Sequence, residues 1–276
     1  MTSRRIHVGT SGWSYPDDWF GPVYPRGMKK TKMLDFYVHL FDTVELNTSF
    51  YNIPNEFVVR SWAKKVPEKF TFAAKINKQI THDAKLDPRK YGNILDVYMR
   101  AMSGLDKKIH SYLLQLPPKF AKKEHQDYLV NFFDTWGRSW DLEKLVVEFR
   151  NLSWMEDSTF QLLSDYKVPY CIVIEPLLPP MREITNPNKT YIRFHGFGEK
   201  IWFDYNFKEE EIKEWGNNIN ELAKKAKDVH VYFNNHFSGY AVKNALDLMD
   251  FLDVSHPSLE KLQRKYNPNR GQTTLF

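Results

Sequence analysis

Cysteine is almost absent from this sequence, and long apolar runs are missing altogether. The single cysteine, Cys171, excludes an internal disulfide and a cysteine-rich zinc site. No apolar run approaches the length that crosses a bilayer, and the N-terminal "MTSRRIHVGT" lacks the apolar segment of a signal peptide. We therefore expect a soluble, cytoplasmic protein with no membrane partner.

Positive charge is only in small excess, with a formal net charge of +5 and a pI of about 9.0. This charge is compatible with a polyanionic partner but does not identify one. Aromatic residues are abundant, at 16% of the chain, so many flat side chains need a core or a ligand. The 42% of hydrophobic residues is typical of a globular protein.

Strand-like and helix-like segments alternate along the chain, and no low-complexity tract or charge block divides it. Eight short β-branched or aromatic runs begin at Ile6, Thr43, Phe70, Tyr112, Leu145, Cys171, Tyr191 and Val229. Amphipathic segments such as "MLDFYVHL" and "EIKEWGNNINELAKKA" lie between most of them. This α/β pattern predicts a single (β/α)₈ TIM barrel over residues 1–265. The proline-rich "PLLPPMREITNPNK" predicts an irregular loop after strand six, and residues 266–276 are predicted to be a flexible tail.

Polar side chains fall on one face of the predicted strands, towards their carboxyl ends. In "TVELN", for example, Glu45 and Asn47 alternate with Val44 and Leu46. The same alternation selects Lys75, Gln115, Glu148, Arg150, Arg193, His195 and Asn234. In a TIM barrel this end of the strands carries the catalytic groups, so we expect these side chains to converge on one pocket.

An ordered set of motifs follows the strand ends: "GTSGWSYPDDWFGPVYP", "TVELNTSFYNIP", "FAAKINKQITH", "LLQLPPKF", "VVEFRNLSW", "YIRFHG" and "VYFNN". In this order they resemble the YecE-like family, a domain of unknown function numbered 72, from about Val8 to Leu252. The resemblance implies a TIM barrel and supplies no reaction. One departure is Ile174 in "IVIEP", where the resemblance leads us to expect an acidic residue.

Four residues are predicted to carry chemistry: Glu45, Lys75, Glu148 and His195. Neighbouring cations favour ionised carboxylates, so the two glutamates are predicted to act as bases or ligands. Imidazole changes charge near neutrality, which makes His195 the candidate acid or proton shuttle. The alternative is a set of Glu–Arg pairs that only position each other.

An anionic ligand is predicted from the cations at the same strand ends. Arginine and lysine bind phosphate or carboxylate oxygens, and the backbones of two glycines after strand seven can approach an anion closely. Aromatic side chains of the first loop can stack on a base or a sugar ring. The predicted substrate-binding residues are Arg150, Arg193, Asn47, Gln115, Asn234, Gly196, Gly198, Trp13, Tyr15 and His82.

The predicted anion site needs no metal and no other cofactor. The alternative is a site that binds a divalent metal ion. The ligand types suit a carboxylate–imidazole site. The residues that would form it are Glu45, His82, Glu148, His195 and His236. None of them belongs to a tight ligand motif, and the neighbouring arginines oppose added cations.

The C-terminal "QTTLF" resembles the short peptides that dock on DNA sliding clamps. Gln272 suits a polar pocket, and Leu275 and Phe276, after two spacers, suit an apolar one. The preceding "NPNRG" is a suitable tether. The alternative is that this segment folds back onto the barrel.

Three functions remain open at this stage. The favoured one is an enzyme that acts on a phosphate-bearing substrate. Its substrate would be nucleic acid in DNA repair or processing, its reaction that of a hydrolase, and a sliding clamp would recruit it. The others are a sugar-phosphate isomerase or lyase, and a non-catalytic barrel that binds DNA or a partner. A deep, narrow pocket would favour the small molecule, and an open basic groove would favour the polymer.

Overall fold

Strands alternate with helices along most of the computed structural model, which describes residues 5–267. The strands are β1 (Arg5–Thr10), β2 (Thr43–Leu46), β3 (Thr71–Lys75), β4 (Ile109–Gln115), β5 (Leu145–Glu148), β6 (Cys171–Ile174), β7 (Lys189–Phe194) and β8 (Asp228–Phe233). The α-helices are α1 (Pro16–Trp19), α2 (Met33–Tyr37), α3 (Thr48–Tyr51), α4 (Glu56–Lys65), α5 (Pro88–Tyr91), α6 (Ile94–Met102), α7 (Lys122–Gly137), α8 (Asp157–Asp165), α9 (Glu209–Lys225), α10 (Tyr240–Phe251) and α11 (Leu259–Tyr266).

The strands form two parallel sheets of four, in the orders β1-β8-β7-β6 and β2-β3-β4-β5. The mixed α/β class is therefore as predicted, but the hydrogen-bonded ladders do not form one continuous eight-stranded sheet. Single parallel bridges link the sheets at both edges, between Ser11 and Glu45 and between Val147 and Tyr170. Because every ladder is parallel, the carboxyl ends within each sheet lie along one edge.

Two apolar clusters reflect the alternation of side chains along the strands. The large one packs the outer strand faces, including Val44 and Val147, against the helices. The small one contains buried side chains from both sheets: Ala73, Leu113, Val146, Cys171, Val173, Tyr191 and Tyr232. Five of the seven share their strand faces with polar residues selected above, and the other two, Cys171 and Val173, share theirs with Glu175. The two sheets therefore face each other across the small cluster.

Helix α9 illustrates how local sequence sets an element's position. Its buried Ile212, Ile219 and Leu222 follow helical spacing and pack into the large cluster. The acidic first turn, Glu209–Glu211, complements the positive end of the helix dipole. By contrast, residues 175–188, all of them described, contain no helix, as their prolines predicted.

Helix α11 includes Tyr266, the first residue of the segment predicted to be a tail. Tyr266 is the last residue of α11, and its hydroxyl lies 3.0 Å from His39 Nε2 while its ring packs against Phe36. It therefore belongs to the folded body. The clamp-like residues Gln272, Leu275 and Phe276 lie outside the described residues.

Candidate functional site

A cavity of about 420 Å³ lies at the carboxyl ends of the strands. Most of the predicted site residues line it: Tyr15, Asn47, Lys75, His82, Gln115, Arg150, Arg193, His195, Asn234 and His236. Phe50 and Phe203 complete an apolar part of the wall. The shared strand face and the parallel direction of the strands explain this convergence.

Arg193 is the centre of a buried ionic network beneath the cavity. Its Nη2 donates to Glu45 Oε1 at 2.7 Å and its Nη1 to Glu148 Oε2 at 2.5 Å. Only 1% of the Arg193 side chain is exposed, and neither carboxylate is exposed at all. Ser11 Oγ and the Tyr191 hydroxyl, each at 2.7 Å, donate to the two oxygens of Glu45. The geometry thus directs Arg193 at the two glutamates rather than at a ligand.

A second arginine extends the network towards the cavity. Arg150 Nε donates to Glu148 Oε1 at 2.5 Å, and Arg150 Nη1 donates to Glu175. Gln115 Nε2 adds a further hydrogen bond to Glu148 Oε1 at 2.7 Å. Burial raises the pKa of Glu148, but Arg150 and Arg193 outweigh burial and hold this pKa well below its usual range. A carboxylate so strongly stabilised is a weak base, so the geometry favours a positioning role for Glu148.

His195 is held neutral, against the prediction that it titrates near pH 7. Arg150 Nη2 at 2.7 Å and Arg193 Nη1 at 3.2 Å both face its Nε2. Because the arginine side chain has only hydrogen-bond donors, Nε2 of His195 must accept hydrogen bonds from both arginines. The other ring nitrogen, Nδ1, lies 3.0 Å from the side-chain amide nitrogen of Asn234. Burial, followed by the two arginines, lowers the pKa of His195 well below its usual range. It is therefore poorly suited to shuttle a proton at neutral pH.

Lys75 differs from both arginines because its ammonium has no carboxylate partner in the described part of the chain. Its Nζ lies 3.7 Å from the centre of the Phe50 ring. Burial and, next, the charge of Arg193 lower the pKa of Lys75 to about 7, against the weaker opposing effect of Glu148. The neutral form of this amine is therefore far more accessible near neutral pH than that of an exposed lysine.

The predicted aromatic and imidazole residues divide between two neighbouring cavities. Tyr15 lines both, stacked on the His236 ring at 4.4 Å. Trp13 lines only the second cavity, of about 410 Å³, with its ring edge against Trp62. His82 lies at the first, and burial followed by the charge of Lys75 lowers its pKa to about 4. Stacking of a ligand on Trp13 would thus occur beside the charged pocket.

The prediction that Gly196 and Gly198 approach an anion is wrong for a simple geometric reason. Neither lines the cavity, and a Cβ on either would collide with backbone carbonyl oxygens of the 201–204 turn. Gly198 N–H donates to Trp202 O at 3.3 Å. Gly196 also has a φ of 101°, a conformation that favours glycine. These glycines allow the loop to fold, and its carbonyl oxygens would repel an anion.

Sequence reasoning missed Glu175, Ser11 and Tyr191 as members of the network. Glu175 follows β6 directly and lies on the same strand face as Cys171 and Val173, so alternation was enough to select it. Burial raises the pKa of Glu175, while Arg150 opposes this shift.

Two features are absent from the described residues: a cluster of metal-ligating side chains and a membrane-spanning helix. Residues 5–267 contain no group of three or more His, Cys, Asp or Glu side chains placed to hold a metal ion. The five residues of the metal alternative therefore do not form such a group there. Within the same residues, no helix has the length and apolar character needed to cross a membrane.

The fold and the site together define an α/β protein with two parallel four-stranded sheets and a buried Glu–Arg network at the strand ends. The model of the family described as "Protein of unknown function DUF72" matches residues 7–269, and the chain belongs to this family. The YecE-like resemblance is thereby confirmed. The family description names no reaction.

Relatives and solved structures agree with this assignment. UPF0759 protein YunF of Bacillus subtilis is 29% identical over 94% of this chain and 98% of its own length. UPF0759 protein YecE of Escherichia coli is 32% identical over 43% of this chain and 40% of its own. The crystal structure of the DUF72 family protein TM1631 of Thermotoga maritima has a TM-score of 0.81 at 30% identity, covering 90% of this chain and 99% of that one. EF0366 of Enterococcus faecalis has a TM-score of 0.78 at 25% identity, covering 92% and 100%.

Proposed function

We propose that this chain is an enzyme of the lyase or isomerase type that acts on a small phosphate-bearing molecule. The observation that carries the proposal is the cavity of about 420 Å³, which is within the usual size of small-molecule pockets. Its wall is rigid because Glu45, Glu148, Arg150 and Arg193 hold one another in place. Lys75 adds a reactive amine to this wall, and such a constellation suits chemistry on a bound small molecule.

The phosphate group would lie against the part of the wall that faces the cavity. Arg150 is 12% exposed there, and each of its terminal nitrogens carries a second N–H. The side-chain amides of Asn47, Gln115 and Asn234 line the same cavity and can donate to phosphate oxygens. Arg193, committed to two carboxylates, would support this surface from below.

Small phosphate esters are expected to stabilise the protein, and a negative charge in the pocket is expected to weaken this effect. Glycerol 3-phosphate at about a hundred times its Kd would add about 2.7 kcal/mol, or roughly 5 °C in Tm. Asn47→Asp should weaken binding about tenfold because its carboxylate repels the ligand. Asn217→Asp, the same change on the exposed face of α9, should bind like the wild type. Thermal shift and calorimetric titration give the measurements.

Two results would contradict this proposal. Equal binding by wild type, Asn47→Asp and Asn217→Asp would move the phosphate site elsewhere on the molecule. Stabilisation by divalent cations alone, reversed by EDTA, would favour the metal site. Tm values without ligand establish that both variants fold.

We also propose that the two sheets are halves of one closed (β/α)₈ TIM barrel, with the cavity at its mouth. Two observations support closure. Gly12 N–H donates to Glu45 O at 2.8 Å at one junction, and Val147 N–H donates to Pro169 O at 3.0 Å at the other. The polar strand ends then correspond to the catalytic end of such barrels.

A nucleic-acid enzyme recruited by a sliding clamp is the second candidate, and it rests on Gln272, Leu275 and Phe276. Burial of Leu and Phe side chains contributes about 1.5–3 kcal/mol each. Ordering a tethered segment offsets part of this gain, so we expect a Kd near micromolar. Under this candidate, DNA repair or processing supplies the substrate.

Fluorescence polarisation with the host's sliding clamp measures this contact. The full-length chain is expected to bind about a hundredfold more tightly than a Leu275→Ala/Phe276→Ala double variant or a chain truncated after Gly271. The double variant is the matched control, since it keeps the length and charge of the segment. Equal binding by all three proteins, or by none, would remove the clamp and with it the reason to prefer DNA.

A further inference from the structure

The ε-amino group of Lys75 is positioned as a reactive group rather than as an ion-pair partner. In the described residues it makes no hydrogen bond or salt bridge, whereas both arginines of the site hold carboxylates. Its ammonium lies over the face of Phe50 and lines the cavity. Ser49 Oγ, at 2.8 Å, and the Tyr98 hydroxyl, at 3.2 Å, donate to the Lys75 carbonyl and fix the end of β3.

The surroundings of this amine favour its neutral form. Lys75 is only 9% exposed, and the guanidinium of Arg193 adds a like charge, so burial and charge repulsion together outweigh the attraction of the Phe50 ring for an ammonium. The Glu45 and Glu148 carboxylates are directed at the arginines. A lysine desolvated in this way and placed near another cation is the type that attacks carbonyl carbons.

We infer that Lys75 forms a covalent imine with the carbonyl carbon of a small phosphate-bearing aldehyde or ketone bound in the cavity. This inference rests on the proposed function and names its substrate class. It also assigns the lysine a role separate from phosphate binding, which belongs to the Arg150 side of the wall.

The step is balanced without an oxidant or a reductant. The nitrogen lone pair forms a bond to the carbonyl carbon, the nitrogen loses a proton, and the carbonyl oxygen gains one. The resulting hydroxyl takes a second proton from solvent and leaves as water while the nitrogen lone pair completes the C=N bond. The protonated imine attracts electrons and weakens a C–H or C–C bond at the neighbouring carbon, which a lyase or isomerase requires.

Borohydride trapping tests the inference on the full-length protein. Dihydroxyacetone phosphate and glyceraldehyde 3-phosphate are the probes, followed by intact-mass measurement and peptide mapping. We expect one reduced adduct, located on Lys75 and absent from Lys75→Met and Lys75→Arg. Lys78→Met, which removes an exposed lysine three residues away, should keep the adduct. The trapping rate should rise with a midpoint near pH 7, the value to which the pKa of Lys75 is lowered.

Several outcomes would overturn the imine. They are adducts spread over surface lysines and unchanged in Lys75→Met, a midpoint at the ordinary lysine pKa, or no adduct with either probe. Glycerol 3-phosphate, which has no carbonyl, separates the two proposals. If it binds wild type and Lys75→Met alike while no adduct forms, the imine fails and the phosphate site remains. If it does not bind at all, the proposed function fails.

Discussion

Acidification from about pH 7.5 to about pH 5.5 is expected to lower the free energy of unfolding steeply. His110, His195 and His230 are buried, and burial lowers the pKa of each well below its usual range. In the unfolded chain they would titrate near 6.5. Below that pH the unfolded state binds more protons than the folded state, so stability falls as the pH falls. Each such histidine contributes a slope of about 1.4 kcal/mol per pH unit.

For His110 and His230, the lowered pKa reflects burial in a stack of imidazoles at the amino ends of the strands, opposite the cavity. The His230 ring lies between those of His7, at 4.9 Å, and His110, at 3.9 Å. Lys189 adds a positive charge near these rings. Burial and, next, the charge of Lys144 lower the pKa of Lys189 to about 8. A proton added to the middle ring therefore meets cations and little solvent.

Urea unfolding at several pH values, with His230→Phe as the test variant, measures this effect. Phenylalanine keeps the stack and removes a buried Nδ1 that has no hydrogen-bond partner in the described residues. The slope below about pH 6.5 should decrease by about 1.4 kcal/mol per pH unit. An identical slope in wild type and His230→Phe would show that this histidine is not linked to folding.

Side-chain alternation explains why so much of the site could be predicted from sequence. In a strand, every second side chain points to the same side. Glu45, Gln115, Glu148 and Arg193 could therefore be assigned to one face without coordinates. Parallel strands then bring such positions to one edge. The same rule applies to Glu175, which it would have selected had the strand been followed one residue further.

Pairing within the face could not be predicted, because it depends on distances between strands. Alternation places three cations near three carboxylates but does not say which of them pair. In the structure Arg150 and Arg193 take the carboxylates, and Lys75 is left over the Phe50 ring. The expectation that Arg193 contacts the anion directly failed at this point, because its terminal nitrogens hold Glu45 and Glu148. The prediction that Gly196 and Gly198 approach an anion failed for a similar reason, because the carbonyl groups around them come from a turn several residues later in the chain.

The Glu–Arg network is where a single substitution is expected to cost most stability. Arg193 is the cation that pairs with Glu45, whereas Glu148 also has Arg150. Glu45 has no exposed surface, so without Arg193 its charge would be buried. Among the described residues, it would then keep only the hydrogen bonds from the hydroxyls of Ser11 and Tyr191. Removing one partner of a buried ion pair usually costs far more than removing both.

Arg193→Met is therefore expected to reduce the free energy of unfolding by about 3–5 kcal/mol in urea titrations at neutral pH. The double variant Arg193→Met/Glu45→Gln should regain part of this loss, since glutamine keeps the shape and removes the unpaired charge. Arg264→Met is the control, because Arg264 and its partner Glu260 are 73% and 71% exposed, and such pairs contribute less than about 1 kcal/mol. If Glu45→Gln makes the Arg193→Met protein less stable still, the unpaired carboxylate is not the cause of the loss. Arg193 would then stabilise the strand ends mainly through the packing of its buried side chain.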